Sequence, residues 1–132
     1  MRRLVEDRGL ADRIEVDSAG TGAWHVGEAP DPRSIGVADR NGVSLDGQFA
    51  RKVRPADFKS FTRIVAMDQS NLRDLMAVAP NGAPADLRLL RDTDPLGRGD
   101  VPDPYYGGPD GFDNVYQMVE RSCRALLDEI SG

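Results

Sequence analysis

Arg63-Ile64-Val65-Ala66-Met67-Asp68-Gln69-Ser70-Asn71-Leu72 is the run that decides the fold. Ile64 to Met67 is a short, unbroken apolar stretch, the pattern of a strand buried on both faces. Asp68 stands at its C-terminal end. Helical spacing begins directly afterwards, with Leu72, Leu75 and Met76 predicted inward on a helix from Gln69 to about Val78. Asp68 reads two ways. It suits the N-cap of that helix. It also lies where open α/β sheets bind ligands, beyond the C-terminal ends of the strands.

Outward in the C-terminal direction, Pro80-Asn81-Gly82 is a turn and Leu87-Arg88-Leu89-Leu90 a second strand. A Gly/Pro/Asp-rich loop, Asp92 to Pro102, leads to Asp103-Pro104-Tyr105-Tyr106-Gly107-Gly108. The last helix starts at Asp110 as N-cap, with Asp113 at N3 in a box-like arrangement. Phe112, Val115, Tyr116, Val119, Cys123, Leu126, Leu127 and Ile130 form its apolar stripe, about five turns long.

In the N-terminal direction, Pro55 to Phe61 reads as a short helical turn anchored by Phe58 and Phe61, and Val43 to Val53 as a connection. Asp31-Pro32 opens a helix as N-cap and N1, with Ile35 and Ala38 inward and Gly42 as its stop. Arg13-Ile14-Glu15-Val16 alternates and is predicted to be a short strand. It runs into the small-residue loop Asp17-Ser18-Ala19-Gly20-Thr21-Gly22, which permits close backbone approach but lacks the Gly-Lys-Ser/Thr ending of a nucleotide-binding loop. Met1 to Leu10 reads as a helix stopped at Gly9, with Leu4, Val5 and Leu10 inward. No capping residue precedes its first turn. Either the helix begins in its middle or its first turn is frayed.

Strands alternating with helices predict an α/β fold: a doubly wound parallel sheet in a three-layer α/β/α arrangement, as one domain over residues 1–132. The chain has 39% hydrophobic and 30% charged residues, ordinary for a globular domain. A formal charge of −5 argues against nucleic acid as a partner. No apolar run reaches membrane-spanning length. The single cysteine excludes an internal disulfide, which makes the cytoplasm the expected compartment. Metal-ligand spacings are absent.

Asp103 carries the most specific chemistry. Pro104 biases it toward extended geometry, so the carboxylate is presented rather than folded into a helix. Tyr105 and Tyr106 can wall a slot for an aromatic substrate. Free phenol has a pKa of about 10, so an acid beside a departing phenol oxygen would act as general acid. The rival reading is a capped turn with two surface tyrosines. Trp24, in a glycine-rich loop, reads as a cleft wall. His25, the only histidine, is more readily structural or exposed than catalytic. Cys123 lies within the apolar stripe, where a thiol behaves as a small hydrophobe rather than a nucleophile.

Taken together, these runs resemble the low-molecular-weight protein tyrosine phosphatases, a relation shared at fold level with thioredoxin-coupled arsenate reductases. The resemblance rests on Val16 to Gly22 with Trp24-His25, Asp31-Pro32-Arg33, Phe49-Ala50-Arg51, Met67 to Leu72, Asp103 to Gly107, and Phe112 to Tyr116. It spans essentially the whole chain and looks like bacterial members. It implies a phosphotyrosine phosphatase I-like fold. The implied activity is hydrolysis of a phosphotyrosine protein or small aryl phosphate through a phosphocysteine, without a cofactor. Asp103 maps to the general acid and base; Trp24, Tyr105 and Tyr106 map to the substrate slot. Ser18 maps to a hydrogen-bond network supporting the phosphate loop, a network altered here because Gln48 stands where the family often has His. The tyrosine pair is a family phosphorylation site, which implies a tyrosine kinase as a partner.

The family pattern also has a first strand, a Cys-x5-Arg loop and opening helical turns that would precede Met1. The expectation is therefore a family member lacking the first strand and the nucleophile, inactive as these 132 residues stand: a fragment, or a chain begun at too late a start, with Met1 internal to a longer, active phosphatase. The alternatives are a catalytically dead phosphotyrosine- or anion-binding relative and, less favoured, an arsenate reductase relative. The reductases need further cysteines.

Overall fold

The computed structural model describes residues 1–22, 26–82, 85–102 and 110–131. The elements run α1 (Arg2–Asp7), α2 (Pro32–Arg40), α3 (Asp57–Ser60), β1 (Arg63–Ala66), α4 (Gln69–Val78), β2 (Asp86–Leu89) and, after a 3-10 turn at Leu90–Thr93, α5 (Gly111–Ser131). β1 and β2 pair in parallel, Ile64 opposite Leu87 and Ala66 opposite Leu89. This is the doubly wound α/β arrangement, with helices on both faces of a parallel sheet.

The period-two alternation of the strands separates two cores. Val65 packs into one, formed by Leu4, Val5, Leu90, Val101, Cys123, Leu126 and Leu127. Ile64, Ala66, Leu87 and Leu89 belong to the other, with Val53, Phe58 and Leu75. Arg88 points to the α5 side, where its Nη1 donates to Glu129 Oε2 at 2.7 Å. The long C-terminal helix therefore covers one face and the α3–α4 region the other.

Helix punctuation follows local chemistry. Gly9 (φ 68°) and Gly42 (φ 75°) take the left-handed conformation after α1 and α2. In both, the two amides at the end fold back in a Schellman arrangement: Gly9 N to Glu6 O and Leu10 N to Val5 O, both 2.9 Å, and Gly42 N to Asp39 O and Val43 N to Ala38 O at 3.0 and 2.9 Å. Asp31 caps α2 by accepting from Arg33 N at 2.8 Å. The first helix has no side-chain cap.

The expected strand at Arg13–Val16 is not a strand. The amides of Arg13 and Ile14 turn back to Leu10 O at 2.9 and 3.0 Å. Val16 O accepts from Nε and Nη2 of Arg2 at 3.0 and 2.9 Å. Ile14 and Val16 still pack on the first core, so the alternation reports burial without a ladder. Other inward assignments also shift. Met76 is 64% exposed, while Ile35 and Phe61 are half-buried. Leu90 leaves the strand for the 3-10 turn. In α5 the best-buried positions include Ser122, which the apolar stripe omitted. Its Oγ bonds Met118 O at 2.7 Å and its carbonyl accepts from Thr93 Oγ1 at 2.9 Å. Cys123 is buried, and burial pushes its thiol pKa up, as expected of a core residue. Among the described residues, no helix is long and apolar enough to cross a membrane.

Candidate active site

Of the five residues mapped to the site, Ser18 lies among the described residues. Trp24, Asp103, Tyr105 and Tyr106 lie outside them, as does His25. Ser18 is exposed, and its amide donates to Asp17 Oδ1 at 2.8 Å. It lines a depression of about 210 Å³ together with Arg2, Asp17, Gly47, Gln48 and Phe49. The structure thus places Ser18 and Gln48 in one concavity, although 30 positions separate them in the sequence. Phe49 presents its ring there, 63% exposed.

The segment carrying Gln48 and Phe49 is held by backbone bonds on two sides. Gly20 N donates to Arg51 O and Val53 N to Gly20 O, both at 2.8 Å. Gly27 N donates to Ala50 O, and Ala50 N to Glu28 O. Arg51 adds an ionic link. Its Nε donates to Asp17 Oδ2 at 3.2 Å, and its Nη1 and Nη2 to the buried Asp57 at 3.0 and 3.3 Å. The Arg51 hydrogen bonds, with further help from the Arg54 amide, hold the Asp57 carboxyl below the usual range against the opposing cost of burial. The loop bearing Ser18 is therefore tied through Asp17 and Arg51 to the start of α3.

Beyond β1, Asp68 acts as a cap: its Oδ1 accepts from Asn71 N at 2.7 Å. A second carboxylate joins it. Asp100 Oδ1 accepts from Gln69 N, the first amide of α4, at 3.0 Å. Val101 N donates to Met67 O at 2.7 Å, so the chain entering the Asp103 run is fastened just past the C-terminal end of β1. Asp92 to Pro102, expected to be a loop, is held by a cluster that no local pattern contains in full. Asp94, with its side chain wholly inaccessible, accepts from Arg121 Nε (2.8 Å) and Nη2 (3.1 Å), from Arg91 Nε (2.9 Å) and from Leu96 N (2.9 Å). The Arg121 guanidinium contributes most to lowering its pKa from 3.8 to about 2, so Asp94 stays ionised. The local signal was an Arg three positions before an Asp-Pro pair; Arg121, far along the sequence, completes the cluster.

Comparison with known proteins places this arrangement. A family model described as low molecular weight phosphotyrosine protein phosphatase matches residues 1–132. A low molecular weight protein-tyrosine-phosphatase from Streptomyces coelicolor is 46% identical over 130 residues, covering 96% of this chain and 79% of that protein. A low molecular weight phosphotyrosine protein phosphatase from Schizosaccharomyces pombe is 47% identical over 128 residues, covering 95% and 81%. The crystal structure of YfkJ from Bacillus subtilis superimposes with a TM-score of 0.90 at 37% identity, covering 98% of this chain and 81% of that one. Sequence and three-dimensional likeness agree over nearly the whole chain, and the chain belongs to the low molecular weight phosphotyrosine protein phosphatase family.

Proposed function

We propose that this chain carries the acid half of phosphotyrosine hydrolysis and that a polypeptide of these 132 residues does not turn over by itself. Asp103 is the general acid toward the tyrosine leaving group and the base toward the water that follows, with Trp24, Tyr105 and Tyr106 as the walls of the aryl slot. Ser18 supports the phosphate loop from the concavity it shares with Gln48. The reaction needs a thiolate to attack phosphorus and cationic or amide donors for the phosphoryl oxygens. The observation that carries the second part of the proposal is the one cysteine. Cys123 is 7% exposed in the core, its thiol pKa is raised by burial, and Glu129 stands where a Cys-x5-Arg pattern would need its arginine. A buried, protonated thiol with no such arginine is a poor nucleophile.

The test is hydrolysis of p-nitrophenyl phosphate and of a phosphotyrosine peptide by the 132-residue polypeptide. No turnover above buffer is expected. Turnover that disappears in Asp103→Asn would overturn the inactivity and uphold the acid. Turnover indifferent to Asp103→Asn would overturn the assignment of the acid as well.

A further inference from the structure

The best-built polar cluster among the described residues gathers in the segment that precedes Asp103 in the sequence. Arg91, 17% exposed at its side chain, divides its donors. Its Nε goes to Asp94 Oδ2 at 2.9 Å and its Nη1 to the carbonyl of Asp100 at 3.0 Å. The loop is wound around this guanidinium. A Cβ added at Gly97 would stand 3.9 Å from Nη2, and one at Gly99 3.7 Å from Nη1, both glycines having φ 139°. Few residues but glycine adopt that conformation, so the loop's path and the arginine's seat fit each other. Asp94 cannot move to accommodate another arrangement, because Arg121 and the Leu96 amide occupy both of its oxygens. The bond to Asp100 O acts on the same short segment as two others, Gln69 N to Asp100 Oδ1 and Val101 N to Met67 O.

We propose that Arg91, oriented by Asp94, is a positioning residue for Asp103: it fixes the main chain at Asp100 and so sets where the acid-bearing run departs from the end of β1. The inference rests on reading Asp103 as the general acid. Arg91 reaches the run through the backbone and takes no part in bond making. Its planar fork is what the role requires, because one group must satisfy a carboxylate and a carbonyl in different directions. A lysine has the charge without the fork.

The test compares two variants of the full 132-residue chain. Arg91→Lys and Arg121→Lys each keep a cation beside Asp94, but Arg91 alone of the two also bonds Asp100. Two readouts are taken by NMR: exchange of the Val101 amide relative to the Ala66 amide of β1, and the titration midpoint of the Asp103 carboxyl carbon. In Arg91→Lys, Val101 exchange is expected to rise about tenfold relative to Ala66, reporting local rather than global opening, and the Asp103 midpoint to move. In Arg121→Lys, which loosens Asp94 but leaves the Arg91–Asp100 bond in place, both should change clearly less than in Arg91→Lys. Equal effects in the two variants overturn the proposal, as does an unmoved Asp103 midpoint in Arg91→Lys. Arg91→Met, which keeps the stem and removes the donors, is held to the same two readouts if the lysine variant does not fold. Neither readout requires turnover, so failure here leaves the assignment of Asp103 as the acid to its own test.

Discussion

Among the described residues, two carboxylate–guanidinium knots are centred on opposite charges. At Asp94, two guanidiniums converge on one inaccessible carboxylate, Arg91 and Arg121 with side chains 17% and 29% exposed. At Arg51, one guanidinium bridges two carboxylates, the buried Asp57 and the half-exposed Asp17. The first knot is locally cationic and fastens the segment leading to Asp103. The second fastens the loop bearing Ser18, and further arginines stand beside its carboxylates, Arg54 Nη2 4.0 Å from Asp57 and Arg2 Nη2 3.8 Å from Asp17. Each anchors one of the loops around the proposed site, and the difference lies in which partner is left stranded when a knot is cut. Removing Asp94 leaves two cations without a counter-charge. Removing Arg51 leaves a buried anion that keeps its bond from Arg54 N at 2.8 Å.

The sharpest way to break the comparison is Asp94→Ala. Taking one partner from a buried ion pair costs about 3–5 kcal/mol. Both arginines retain some access to water, so a loss of about 3 kcal/mol, toward the lower end, is expected from urea unfolding. A loss below that of Arg51→Ala would reverse the ranking of the two knots.

Acid probes the first knot without mutation. The Asp94 pKa is lowered from 3.8 to about 2 by the two arginines and the Leu96 amide. Its folded pKa lies below its unfolded value, so its contribution is fully present above about pH 4–5 and is lost as the pH falls toward 2. That shift corresponds to about 2–3 kcal/mol. The Asp57 carboxyl is also lowered and adds to the same acid limb. Unfolding free energies measured between pH 6 and 2 should therefore fall, and the fall should shrink in Asp94→Ala. An acid limb of unchanged depth in that variant would show that other carboxylates carry it.

How far the sequence announced these features depends on how local their causes are. Gln69–Val78 was readable to its ends, because a strand, a capping Asp and a following turn all lie within the run that forms it. Gly9 and Gly42 announced two helix stops for the same reason. Arg13–Val16 misled because alternation records burial while a strand also needs a ladder, and the Val16 carbonyl is taken by Arg2, 14 positions earlier. Met76 was assigned inward beside Leu75, yet successive helical residues diverge by about 100°, so the face that buries Leu75 turns Met76 toward solvent. The Asp94 cluster was half legible: Arg91 stands three positions before it, but Arg121 lies 27 positions away on another element. At the site, Asp103 and its tyrosines stood out by composition. The meeting of Ser18 with Gln48 followed from the resemblance, and no local pattern contained it.

The smallest effect belongs to the second knot and sharpens the comparison most finely. Arg51→Ala removes three donors, two of them on Asp57. Asp57 has a side chain only 7% exposed, so losing its main counter-charge must cost something. The departing guanidinium is itself 28% exposed, however, and its removal admits water to the carboxylate it leaves. That places the expected loss at about 1–2 kcal/mol, below the value for a sealed pair. The structural consequence should be uneven. Asp17 loses its tie to α3, and the Ser18 amide, bonded to Asp17 Oδ1, should exchange faster, while Val101 beyond β1 keeps its wild-type rate. Faster exchange at Val101 in this variant would mean that the two knots act as one unit, and the separate roles assigned to them would fail.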